Sequence, residues 1–278
     1  MTSTWSGGFH EAIIPWPAAG TSRIYDLAVR LEPGMPRHPY HPAFGFVLAK
    51  QHGEGMYPDG VSSAMEMIVT GGHVGTHVDA LGHIAKDGYI HGGHAIAGLQ
   101  SATGGLEAGS VEEMPPLIGA GHLVDAEEIY GRELVPADGI TAEHLTAWFA
   151  GRDEPGAGSV VLVRTGWMKK WPDYNTYLPI TAGVPGVTLD GAKWLSSRGV
   201  LAVGADTHMF EHKPSISQVS LSVHAHLLVE AGVPIMESLN LEPAAADGVR
   251  DFLFVALPLR VRGGTGSPLR PVAIVSPS

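Results

Sequence analysis

The chain has 278 residues, 44% of them hydrophobic, with no cysteine and a net charge of −11. That length buries a full core without covalent staples, and the lack of thiols excludes disulfides, thiolate metal sites and cysteine nucleophiles. The acidic balance argues against a nucleic acid or an anionic membrane surface as partner, and no stretch reaches the roughly 18 apolar residues that span a bilayer.

Residues 1–22 read as an N-terminal arm without a basic or long apolar leader, which predicts a soluble, cytoplasmic protein. Ile24 to Leu31 alternates apolar and polar residues and predicts a strand, followed by a loop held extended by Pro33, Pro36, Pro39 and Pro42. Ala64 to Thr70 predicts a second strand, and His122 to Asp125 a short third one. Thr141 is a helix N-cap, with His144, Leu145, Trp148 and Phe149 at helical spacing. Ser159 to Arg164 is apolar and β-branched, the pattern of a strand covered on both faces. A helix follows Thr188 and stops at Gly199, and Val200 to Val203 is the next buried strand. Val223 to Glu230 predicts a helix ended by Gly232, then a strand over Val233 to Met236. Phe252 to Val261 and Pro271 to Val275 are the last strands. There is no repeat and no linker, so 23–278 reads as one α/β domain, with mixed sheets or a barrel-like β core and flanking helices.

The 15 histidines nearly match the 17 lysines and arginines, and five of them lie between His73 and His94. Without thiols, a transition-metal site here is built from imidazole and carboxylate. The segment His73-Val74-Gly75-Thr76-His77-Val78-Asp79-Ala80-Leu81-Gly82-His83 is the candidate. A helix would turn Asp79 away from His73 and His77, and its glycines disfavour one by about 1 kcal/mol each. A straight strand would separate His73 from His77 by about 13 Å, too far for one ion with bonds near ~2.1 Å. A bend at Gly75-Thr76, followed by an extended His77-Val78-Asp79, aims the i, i+2 pair at one point.

This segment resembles the H-x-G-T-H-x-D-x-x-x-H signature of the cyclase-like metal-dependent hydrolases. That group includes kynurenine formamidase, isatin hydrolase, cyclic imide hydrolase and trans-dienelactone hydrolase. Asp26-Leu27 with Pro33 to Pro36, Val161 to Trp167, Gly199 to Thr207, His224 to Leu239 and Gly263 to Arg270 also look familial. The resemblance implies the family's swivelling β/β/α fold, with His73, His77 and Asp79 as ligands of a first metal. Asp79 would bridge to a second ion held by His224 and Glu237, and His83 would be the catalytic acid and base. The implied cofactor is Mn2+ or Zn2+, one or two per chain. The implied partners are a small-molecule substrate and further copies of the chain, as a dimer or tetramer.

Three protein ligands leave coordination positions for water and substrate, and an ion lowers the pKa of its water from about 15.7 toward about 7. His83 would pass a proton from water to the departing nitrogen, help typically worth about 10² to 10⁴ in rate. Thr76 is read either as a hydrogen-bonding group of the site or as part of the turn. The expected activity is hydrolysis of a carbon–nitrogen amide bond in a small, cyclic amide or imide. Lactone hydrolysis or arylformamidase activity at the same site is the alternative. A non-catalytic metal-binding protein is the reading from another class, and it has no need of His83.

Other segments carry weaker signals. His208-Met209-Phe210-Glu211-His212 fits the H-x-x-E-H peptidase pattern, but Pro214 and the nearby Gly204 leave little more than one helical turn. It reads as a surface loop, or as a loop over the site with His208 or His212 toward substrate. GGTGSP over Gly263–Pro268 lacks the phosphate-loop lysine and reads as a tight turn. His38, His41, His91 and His94 read as solvated. Trp167, Trp171, Tyr174 and Tyr177 read equally as pocket wall or core.

Overall fold

In the computed structural model, residues 22–276 are described apart from 172, 180–181 and 216–219. The expected N-terminal arm lies, but for its last residue, outside the described residues.

The architecture is a single mixed α/β domain around a nine-stranded sheet. Its strands run in the order Arg23–Asp26, Val272–Val275, Asp251–Ala256, Leu117–Asp125, Val160–Arg164, Ala202–Ala205, Ile235–Glu237, His77–Asp79, Gly266–Pro268. The four from Leu117–Asp125 to Ile235–Glu237 are parallel, and the remaining pairings are antiparallel. Every residue of Val160–Arg164 and of Ala202–Ala205 is buried, which explains their unbroken apolar runs.

The strand alternation feeds two cores. Val161 and Val163 pack with Leu145, Trp148 and Phe149 of the Ala142–Phe149 helix and with Ala192 and Leu195 of the Leu189–Ser196 helix. Val160 and Leu162 face the other way, onto Tyr25, Val78, Phe252 and Phe254. Tyr25 and Val78 come from opposite ends of the strand order, so the sheet curls into a half-barrel. Hydrogen bonds from Asn240 N to Leu27 O and from Val29 N to the Thr76 hydroxyl pin that curl. The Ala142–Phe149 helix starts as expected, with Thr141 and His144 capping each other reciprocally.

Some bounds differ from those the pattern predicts. The first strand stops at Asp26, whose carboxylate accepts from Ala28 N. The late strand stops at Ala256, just before Leu257-Pro258, because Pro258 has no N–H to donate. The strand expected at His122 begins at Leu117, its first half hidden by Gly119 and Gly121. A side chain at Gly121 would overlap the Phe252 ring. The Val223–Glu230 helix is a helical turn over Ser222–His224 that widens into a π-helix over Ala225–Ala231, ended by Gly232 at φ +69°.

Among the described residues the Gly45–Lys50 and Met65–Val69 strands pair only with each other, as a separate two-stranded sheet. Phe46, Val47, Leu48, Met65, Met67, Ile68 and Val69 are each 45–55% exposed, so among the described residues neither face of this hairpin has a core. Among the described residues no helix is long and apolar enough to cross a membrane.

Candidate metal centre

The parallel strands end where the antiparallel strand His77–Asp79 begins, since Glu237 pairs with His77 across the ladder and Ile235 with Asp79. Gly75 takes φ +69° and turns the chain into that strand, as the residue pattern requires. Thr76 is buried in the turn, donating to Ser238 O at 2.6 Å and accepting from Val29 N at 2.9 Å, so its role is structural. After Asp79 the chain folds back, with His83 N donating to Ala80 O. That brings the His83 ring onto His73, stacked with centroids 4.0 Å apart.

The structure brings all six predicted residues together. His73 Nδ1 lies 2.6 Å from the Asp79 carboxylate, and its Nε2 is 2.9 Å from the Thr265 hydroxyl. His77 donates through Nδ1 to Gly75 O at 2.8 Å, leaving Nε2 to face Asp79 at 3.4 Å and Glu237 at 3.5 Å. His224 turns Nε2 toward Glu237 at 3.1 Å and Asp79 at 4.0 Å. Two sets of donor atoms fall within 4.8 Å of one another: His73, Asp79 and His83, and His77, Asp79 and Glu237. Asp79 belongs to both. The grouping places His83 beside the first ion position, not apart from it.

The electrostatics favour a cation. Burial works against the imidazolium of His77 and of His224, yet surrounding carboxylates outweigh it and raise both, His224 to about 10. Burial also opposes the Asp79 charge, but His83, His73 and His77 hold its carboxyl well below the usual range. At His83 burial prevails and pushes the ring down to about 4, leaving it neutral at pH 7. Buried imidazoles with their far nitrogens fixed, facing two buried carboxylates, fit a divalent ion.

Two supporting residues escaped the sequence reading. Glu211 is buried and accepts from His224 Nδ1 at 3.0 Å and Val223 N at 2.9 Å, completing a carboxylate–histidine pair. Phe210 N donates to Glu237 at 2.9 Å. The segment dismissed as a failed peptidase motif is therefore the support beneath both partners. Only the fold juxtaposes it with His224 and Glu237, so no spacing rule in the sequence would find it.

A cleft of about 820 Å³ opens over these residues. His38, His41 and His208 line it, whereas His91, His94 and His212 do not. His41 Nδ1 donates to His73 O at 2.8 Å, so this proline-loop histidine is not simply solvated. His91 instead holds Val229 O, and His212 holds Pro136 O. Trp167 and Tyr177 are core, packed with Leu178 and Val184, whose side chains form the cleft wall in front of them. Gly266 is not in a turn but in the outermost strand, paired with Asp79, where a side chain would strike the His73 ring.

Comparison with known proteins agrees with this architecture. The chain is 28% identical to an isatin hydrolase of Roseibium aggregatum, over 78% of this chain and 77% of the relative. It is 29% identical to a kynurenine formamidase of Bordetella petrii, over 65% and 74% respectively. A crystal structure described as a novel cyclase superposes with a TM-score of 0.82 at 25% identity, covering 91% of this chain and 87% of that one. The Cyclase family model matches residues 25–212, and on that match, with the shared fold, the chain belongs to the cyclase family.

Proposed function

We propose that the protein is a metal-dependent amidohydrolase that opens a small cyclic amide or imide by adding water across a carbon–nitrogen bond. The carrying observation is the convergence of two buried imidazoles, His77 and His224, and two buried carboxylates with the half-buried His73 beside a neutral histidine in one cleft. Relatives that hydrolyse isatin or a formamide support the reaction class, and the cleft volume suits a small molecule.

As the resemblance implies, His73, His77 and Asp79 would hold one ion, with Asp79, His224 and Glu237 available to a second, although the donor atoms nearest one another set His73 with His83 and His77 with Glu237 around the shared Asp79. A divalent ion there, manganese or zinc, supplies Lewis acidity toward the carbonyl and lowers the pKa of water. His83 accepts the proton of the attacking water and returns it to the departing nitrogen, so the amine leaves neutral and the carbonyl carbon ends as a carboxylate. Gly75 O fixes the tautomer of His77, and Thr265 engages Nε2 of His73.

His83→Ala tests the assignment. The variant is expected to keep its metal, by plasma mass spectrometry, and to lose at least about a hundredfold in kcat. Metal lost with activity would make His83 a ligand; undiminished turnover would refute its role and favour the non-catalytic reading. Glu211→Gln is expected to weaken metal retention by about 10–100-fold in a chelator competition, since the variant no longer fixes the charge behind His224. Unchanged retention would remove Glu211 from the metal support.

The reading includes self-association. A lone two-stranded hairpin is marginal in water, and the exposed Gly45–Lys50/Met65–Val69 hairpin calls for cover on its apolar faces. A second copy is the proposed cover. Ile68→Glu is then expected to shift the chain to monomer in light scattering; an unchanged mass would discount the hairpin as the contact.

A further inference from the structure

Among the described residues that line the cleft, Lys213 is the one lysine or arginine, and the proposed chemistry does not use it. Lys213 lies on the short Lys213–Ser215 strand, paired with Val184 of Ala182–Val184, and lines the cleft with His38 and His208. Two other lysines have carboxylate partners, Lys86 with Glu230 and Lys169 with Glu127, while Lys50 bonds the Ser63 hydroxyl and Lys170 lies over the Trp167 ring. Among the described residues no carboxylate comes within ion-pair distance of Lys213. Its charge is felt by both neighbouring histidines. Burial first, and Lys213 after it, lowers His38; burial drives His208 to about 4. Both rings are therefore neutral hydrogen-bonding groups at pH 7. The buried His208 Nδ1 has no hydrogen-bond partner, an unmet polar group in the wall beside Lys213.

Much of the remaining wall is apolar, formed by Ile84, Leu178, Val184, Met209 and Leu221, with Tyr40 and Ser220 as further polar groups. A chain of net charge −11 repels anions at long range. An unpaired ammonium inside its cleft is therefore a local device for an anion.

We propose that Lys213, flanked by His208 and His38, is a second anchoring point in the cleft, and that the substrate is an anion. It is a small amide or imide whose far end bears a carboxylate, joined to the scissile carbonyl through an apolar ring or spacer. This rests on the amidohydrolase reading above. Water adds to the carbonyl, the carbon–nitrogen bond breaks, the nitrogen leaves with the proton, and the remote carboxylate is unchanged.

The test compares wild type, Lys213→Met and Lys213→Arg, each loaded with manganese. Turnover is measured on phthalimide and on its 4-carboxylate, and calorimetric binding on terephthalamate against terephthalamide. Wild type is expected to favour the carboxylated imide by about tenfold to a hundredfold in kcat/KM, the range for a charge-assisted hydrogen bond. Lys213→Met should erase that preference and Lys213→Arg should retain it. No preference in wild type, or one that persists in Lys213→Met, overturns the proposal while phthalimide turnover leaves the hydrolase reading standing. If wild type hydrolyses neither imide, the imide reading fails and binding decides the role of Lys213. Terephthalamate bound about tenfold tighter than terephthalamide by wild type, and equally by Lys213→Met, supports it. Equal or undetectable binding by wild type overturns it.

Discussion

Asp79→Ala is expected to lose essentially all bound metal and to cut turnover at least about a thousandfold, some 4 kcal/mol of barrier at 1.36 kcal/mol per decade. Its carboxylate is the shared member of both donor sets and lies against His73, His77 and His224. No neighbouring side chain can substitute, because Glu237 is already held by Phe210 N and faces His77 and His224. Asp79→Asn preserves the shape and removes the charge, so it should fail nearly as badly. Metal analysis on both variants, with circular dichroism to show that they fold, checks the expectation. Wild-type metal content in Asp79→Ala would sink the proposed centre.

The second large effect concerns stability. Arg164 ends a buried strand opposite Asp125 and engages three carboxylates: Asp125 at 2.9 Å, Glu127 at 2.8 Å and Glu242 at 2.8 Å. Arg164→Met leaves those carboxylates facing one another in a largely buried space, and losing one member of such a network costs about 3–5 kcal/mol. Urea unfolding should show a markedly lower midpoint with a similar slope. The loss should depend on pH in a defined direction. Burial opposes the Glu127 charge, but Lys169 and Arg164 outweigh it, so its pKa lies below the ordinary 4.5. A lowered carboxylate stabilises the fold above the unfolded pKa and ceases to do so as pH falls through the folded one. The gap between wild type and variant should therefore be full at pH 7 and narrow below about 4.5. A gap that widens on acidification would show that the loss is one of packing, not charge.

The parallel strands and capped helices were legible in the sequence because their signals are local: β-branched runs, Thr141, Thr188 and the stop at Gly199. The bend at Gly75 was legible for a different reason, since metal geometry allowed no other path between His73 and Asp79. What stayed hidden depends on neighbours distant in sequence. Gly121 looks like a strand breaker until Phe252 occupies the space it vacates. Glu211 and Phe210 look like loop until the fold sets them under His224 and Glu237. His41 and His208 are indistinguishable from solvated histidines until the cleft closes around them.

The direct pairing of His77 with Glu237, and of Asp79 with Ile235, makes strand register the coordinate system of the active cleft. A single inserted residue in either three-residue strand would rotate its donors to the opposite face of the sheet. Length variation should therefore be partitioned along the chain. The 51–64 connection between the exposed hairpin strands can lengthen or shrink freely, whereas 77–79 and 235–237 tolerate substitution at Val78 or Met236 but no insertion or deletion. Selection on such a protein therefore holds the number of residues in these two strands as firmly as it holds the donors His77, Asp79 and Glu237 themselves.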